Sequence, residues 1–157
     1  MTDTPEAPRQ VKLKTGPTVE VPQKHILRIL DGLFGFAGLE NYALIPYDAE
    51  SPFLWLQSLD EGHLAFLTLD PRLFSPDYRP VVLPDDLAAV GLDKLENGIV
   101  LVIVVIPDDP KQMTANLMGP VIVNPVTRLA KQVISQSPQH KIRHHILGEG
   151  SGPAAGA

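Results

Sequence analysis

A small, mostly β, antiparallel β-barrel-like single domain with one or two short helices is the fold this sequence predicts, and three observations predict it. Proline makes up 16 of the 157 residues, about twice the ~5% of average composition, so few gaps remain in which a long helix runs uninterrupted. Hydrophobic residues make up 44% and charged residues 20%, too apolar for a disordered chain, so the prolines must punctuate a folded domain. The apolar residues fall into about ten short runs separated by turn signals, and an open sheet of that many strands leaves edges that closure removes.

The length suits one domain, which buries about 68–70% of its unfolded surface. We place that domain at residues 11–147, after a polar, flexible N-terminal extension at 1–10 and before a disordered Gly/Ala-rich tail at 148–157. Val11–Lys14 and Val19–Val21 alternate apolar and polar residues around Gly16-Pro17, the pattern of a hairpin with one wet face. His25–Leu30 reads as a strand ended by the Asp31-Gly32 turn. Gly32, Gly35 and Gly38 exclude a helix of more than a turn or two before Tyr42–Ile45, a short strand stopped by Pro46. Pro52–Leu56 and Leu64–Leu69 read as the next pair, turning at Asp60-Glu61-Gly62.

Four prolines make Pro71–Pro84 irregular, and Pro84–Val90 has the composition of a short helix with Asp85 and Asp86 in its first turn. Asn97-Gly98 precedes Ile99–Ile106, a run of apolar, mostly β-branched residues that predicts a central strand. Met113–Val123 reads as a strand broken by Gly119-Pro120, with Leu129–Ile134 and Ile142–Leu147 following.

Composition excludes several function classes. Zero cysteine removes disulfides, thiolate metal sites and cysteine nucleophiles, and suits a reducing cytoplasm. Met1–Gln10 lacks the apolar core of a signal peptide, and the longest apolar run is far shorter than the ~20 residues of a membrane helix. The net charge of −5 is uneven: residues 1–30 carry +2, residues 31–110 carry −11, and residues 111–157 carry +4. An acidic middle repels phosphate and steers basic partners, so a protein partner is expected rather than nucleic acid or a membrane. All the aromatic residues lie between Phe34 and Tyr78, inside that stretch, which suits an interface as well as a core.

Catalytic motifs are missing: the sequence holds no phosphate-binding glycine loop, nucleophile elbow or His-Glu-x-x-His. Asp85-Asp86 and Asp108-Asp109 sit beside prolines, where capping and turn formation explain them. A competing reading is a metal- or ligand-binding barrel, possibly an enzyme, using His140, His144 and His145, since the four-residue spacing puts two imidazoles on one face of a helix. Lys141 and Arg143 beside them repel a cation. No cofactor is expected.

Two stretches carry more. One is Pro52-Phe53-Leu54-Trp55-Leu56-Gln57-Ser58 with Asp60-Glu61, Leu64-Ala65-Phe66 and Asp70-Pro71; the other runs from Thr114-Ala115-Asn116-Leu117-Met118-Gly119-Pro120 through Asn124-Pro125 to Ile134. Together with Gly32-Leu33-Phe34-Gly35-Phe36, and in the right order over about residues 10–146, they resemble the flagellar assembly factor FliW family. The sequence departs from that family at Phe34, where proline is usual, and at Gly62 and His63, where an acidic residue and often proline stand.

The resemblance implies a non-enzymatic, cytoplasmic, partner-switching barrel. It would bind flagellin and, when free, bind and antagonise CsrA, a small basic RNA-binding dimer, relieving repression of flagellin mRNA. Candidate contact residues are Asp60 and Glu61 in an exposed turn, and Phe53, Trp55 and Gln57, which alternate on one face of a strand. Asn116 and Asn124, polar residues within an apolar strand pair, either hold backbone at a bend or touch a partner.

Overall fold

The computed structural model describes residues 7–147. The predicted hairpin is β1 (Arg9–Lys12) and β2 (Thr18–Val21), a separate two-stranded antiparallel sheet in which Val11 faces Val19. Of the N-terminal extension expected at 1–10, residues 1–6 lie outside the described residues, while Arg9 and Gln10 belong to β1. The tail expected at 148–157 also lies outside them.

An antiparallel meander follows: β3 (Ile26–Ile29), β4 (Asn41–Pro46), β5 (Leu54–Ser58), β6 (Ala65–Leu69) and β7 (Ile99–Val105). β9 (Val121–Val123) pairs with β7 and with β10 (Leu129–Gln132), and β10 pairs with β3, closing a ring of seven strands. The antiparallel barrel is present with one exception, because the closing β10–β3 pair is parallel, with Leu129 beside Arg28 and Ala130 beside Ile29. The reason is topological: strand directions cannot alternate all the way around a ring with an odd number of members.

One hydrophobic cluster draws side chains from every strand of the ring, including Leu27, Ile29, Tyr42, Leu56, Leu101, Val121 and Ala130. Only the lumen touches all the strands of a closed ring, so this cluster is the barrel's filled interior. The opposite face is apolar too, and two appendages cover it. The β1–β2 hairpin lays Val11 and Val21 over Ala43 and Ile45. The crossover between β6 and β7 lays Tyr78, Val90 and Leu92 over Val100, Val102 and Leu67. It contains the single α-helix among the described residues, α1 (Pro84–Ala89), whose Asp86 carboxylate receives the Lys131 ammonium of β10 at 2.9 Å. β7 is therefore apolar on both faces because each face meets a core.

The segment read as one broken strand is two: β8 (Thr114–Ala115) and β9, paired with opposite ends of β7. Ala115 stands opposite Val104 and Val121 opposite Leu101, so residues 116–120 take the place opposite 102–103 and form a wide bulge. β11 (His144–His145) pairs with the outer side of β8.

Candidate functional site

The bulge lies at the end of the barrel where β3, β5, β7 and β10 finish and β4 and β6 begin, which we call the mouth. Asn116 shapes it: its Oδ1 accepts the Met118 N–H at 3.0 Å and the Gly119 N–H at 2.9 Å. Gln132, at the end of β10 and buried, locks the bulge to the β3–β4 loop. Its Oε1 accepts the Phe34 N–H at 2.8 Å while its Nε2 donates to the Gly119 carbonyl at 2.9 Å. Gly119 packs closely here: an added Cβ would lie 3.0 Å from the Asn116 amide and 3.1 Å from the Gln132 amide, so those side chains would have to give way by a few tenths of an ångström. In the β3–β4 loop Gly32 has φ +75°, and a Cβ there would meet the Phe36 carbonyl oxygen at 2.4 Å, so only glycine fits. The Gly32–Phe36 motif and the Asn116–Pro120 motif are thus one hydrogen-bonded unit.

Between them opens a cleft of about 320 Å³ floored by Phe66 and Ile103 and walled by Phe34, Val105, Ile142 and Arg143. Phe34, Val105 and Ile142 are 49%, 61% and 59% exposed, a cluster of large apolar side chains in water at one end of the barrel.

Beside the cleft, at the same end, the loops are acidic. Asp60 follows β5 and its Oδ2 accepts the backbone N–H groups of Glu40 at 3.1 Å and Asn41 at 3.0 Å, with the Asn41 side-chain amide donating as well. These bonds, led by the Asn41 backbone, hold the Asp60 carboxyl below the usual aspartate range. Glu40 pairs with the Arg28 guanidinium at 2.9 Å and accepts the Asp31 N–H, which lowers its pKa too, the Arg28 hydrogen bond contributing most. Glu61 is exposed, and its own N–H donates to Ser58 Oγ at 2.9 Å. Both acidic candidates are therefore at the surface, but Asp60 also fastens the β3–β4 loop to the β5–β6 turn.

The other candidates are spread over the molecule. Phe53 and Trp55 are half-buried against the outer clusters, Trp55 with its ring 5.8 Å from that of Tyr47. Gln57 is 1% exposed, and its placement corrects the expectation that it faces a partner. Its Oε1 accepts the Lys14 N–H at 2.7 Å and its Nε2 donates to the carbonyls of Ser58, Gly62 and Leu64, tying the N-terminal hairpin to the β5–β6 turn. Asn124 takes the first of its two expected alternatives and holds backbone. Buried at the opposite end of the barrel, it accepts the Val126 N–H at 2.9 Å and donates to the Val90 carbonyl at 2.9 Å.

Geometry does not gather the three histidines on one face. His140 Nδ1 lies 2.6 Å from Ser135 Oγ and its ring packs on Tyr78 at 4.6 Å, while His144 lies in β11 with its ring 5.7 Å from that of Phe74. His144 and His145 are adjacent in a strand and point to opposite faces, and no metal-binding group of three forms among the described residues. Burial, and secondarily His144, lowers the His140 pKa, consistent with an imidazole packed into the C-terminal arm as a structural piece. Sequence reasoning missed Phe34 and Gln132, whose only signal was a phenylalanine and an amide inside recognisable motifs; nothing local marks a residue whose partner is 98 positions away.

A model of the FliW protein family matches residues 10–146. The chain is 46% identical over 131 residues to the flagellar assembly factor FliW of Leptospira biflexa, covering 83% of this chain and 86% of that protein. To the flagellar assembly factor FliW of Leptospira interrogans it is 38% identical over 140 residues, covering 87% and 93%. A crystal structure of the flagellar assembly factor FliW superposes with a TM-score of 0.79 at 28% identity, covering 88% of this chain and 96% of that one.

Proposed function

The chain belongs to the FliW family of flagellar assembly factors, and from that premise we propose that it acts in the cytoplasm by binding rather than catalysis, as a partner-switching regulator. In this reading it binds flagellin while flagellin is abundant. Freed by export of flagellin, it binds and antagonises CsrA and so relieves repression of flagellin mRNA. The observation that carries the reading is the mouth, where the two motif loops locked by Gln132 present exposed apolar side chains beside acidic loops. Apolar anchors suit a protein partner, and the acidic corner suits a basic one by raising its association rate. Asp60 and Glu61 are the electrostatic contacts in this proposal, with Asn116 at the cleft.

Switching needs only negative coupling: if the two partners exclude or weaken each other, free flagellin lowers the CsrA-bound fraction by mass action. Titrating flagellin into a preformed complex of this protein with CsrA is expected to release CsrA; a complex unchanged at saturating flagellin overturns the proposal. Because Asp60 holds backbone, the clean charge probe is Glu61→Lys, expected to slow CsrA association and flatten its salt dependence.

A further inference from the structure

The C-terminal arm after β10 is fastened to the molecule through one serine and one histidine. Ser135 is 3% exposed, and its Oγ accepts the Val81 N–H of the crossover at 3.1 Å and the Ser137 N–H at 3.4 Å. Both lone pairs are thereby taken, so the hydroxyl proton is what remains for His140 Nδ1, 2.6 Å away. Nδ1 is then the acceptor, which makes the ring neutral with its proton on Nε2. Around this pair the arm binds two other parts of the molecule. The Gln136 N–H donates to the Val81 carbonyl at 2.8 Å, and the Lys141 carbonyl accepts the Leu117 and Met118 N–H groups of the bulge at 2.9 and 3.1 Å. The buried Tyr78 of the crossover joins them, packing on the His140 ring and donating its hydroxyl to the Leu117 carbonyl at 2.7 Å. Ile142 and Arg143, next along the arm, wall the cleft at the mouth.

We propose that Ser135 and His140 form a pH-operated clasp: neutral His140 holds the arm to the crossover and the bulge, and a proton on its Nδ1 releases the arm from the mouth. Protonation turns Nδ1 into a donor, so three donors converge on Ser135 Oγ while its own proton is left with no acceptor. The surroundings oppose the charge as well. Tyr78 faces the ring from the crossover, and burial pushes its phenol well above the ordinary tyrosine range, so it supplies no anion. His144 faces the ring from β11, Lys141 follows it in the chain, and the bulge at 116–120 holds no titratable residue. His140 makes no ion pair with a carboxylate among the described residues. Burial first, and then His144, holds the folded imidazole below its ordinary value. The clasp is therefore closed above the unfolded histidine pKa of about 6.5 and opens as pH falls through the depressed folded value. The device rests on this geometry alone, whichever partner the mouth takes.

The test uses the full chain, with NMR titration of the His140 ring and amide hydrogen exchange at about pH 7.5 and about pH 5.5, each rate corrected for its intrinsic pH dependence. The ring is expected to titrate below the ordinary imidazole value. Protection of the Val81 and Leu117 amides is expected to fall about threefold or more between the two conditions, relative to the Asn124 backbone amide at the far end. His140→Asn puts an oxygen acceptor in the place of Nδ1 and takes up no proton, so it is expected to keep that protection in acid. His144→Asn, which removes only the neighbouring charge, is expected to retain the fall. A His140 ring that titrates at or above its ordinary value overturns the proposal, as does protection at Val81 and Leu117 that falls no more than at Asn124. So does a fall that persists in His140→Asn or vanishes in His144→Asn. Should His140→Asn unfold the arm, the ring titration of the unaltered chain carries the test.

Discussion

The two ends of the barrel are turned by the same residue used in two ways. Asn124, at the far end, spends its whole amide inside the protein: the oxygen accepts Val126 and Thr127 N–H groups and the nitrogen donates to the Val90 carbonyl of the crossover. Asn116, at the mouth, uses its oxygen identically on Met118 and Gly119, but its nitrogen has no hydrogen-bond acceptor among the described residues and the residue lines an open cleft. One asparagine closes a structure and the other leaves an amide nitrogen without an acceptor among the described residues, at the lining of an open cleft. The difference follows from what each amide meets: the Val90 carbonyl of the crossover lies within reach of the Asn124 nitrogen, and no acceptor among the described residues lies within reach of the Asn116 nitrogen.

This contrast can be broken by substitution. Asn124→Ala should be the most damaging, since it strands buried backbone groups and unfastens the crossover; a loss of about 2–3 kcal/mol in denaturant-measured stability is expected. Gln132→Ala, which separates the two motif loops, should lose about 1–2 kcal/mol and broaden the amide resonances of residues 33–36 while leaving the far end unchanged. Asn116→Ala should destabilise by about 1 kcal/mol, the scale of a lost backbone cap, yet weaken partner binding more than Asn124→Ala does when each is measured on folded protein. Equal effects of the two asparagines on stability and binding would erase the distinction between the ends.

The smallest effect is one of pH. The folded Asp60 carboxyl lies below its ordinary value, so its contribution is present above the unfolded aspartate pKa of about 3.9. It is lost as pH falls through the depressed folded value. The β3–β4 loop at the mouth should therefore lose hydrogen-exchange protection under acid before the far end does, and Asp60→Asn should weaken that pH dependence, leaving the share carried by Glu40.

Much of the fold was legible because it is written locally. Prolines at 46, 71, 84 and 120 end or interrupt apolar runs, and β7 (Ile99–Val105) is recognisable by its β-branched residues alone. The bulge was visible only as a break at Gly119-Pro120, because its width depends on which residues of β7 stand opposite. The candidate site was legible in its motifs but not in its geometry. Gln57 and Gln132 look alike in sequence, yet one straps a hairpin to a turn and the other sets the position of an exposed phenylalanine. Phe53, Trp55 and Gln57 share a strand face as expected, but that face is the outside of the barrel, partly covered by the N-terminal hairpin.

Determined by the sequence itself were the strand-rich class, the element order, the uneven charge and the family, since each depends on composition, short-range patterning or motifs. Tertiary structure alone decided which face of each strand is the lumen, that the closing pair is parallel, and that two distant motifs meet through one glutamine. Those depend on ring closure and on contacts between residues far apart in the chain, which no local pattern encodes.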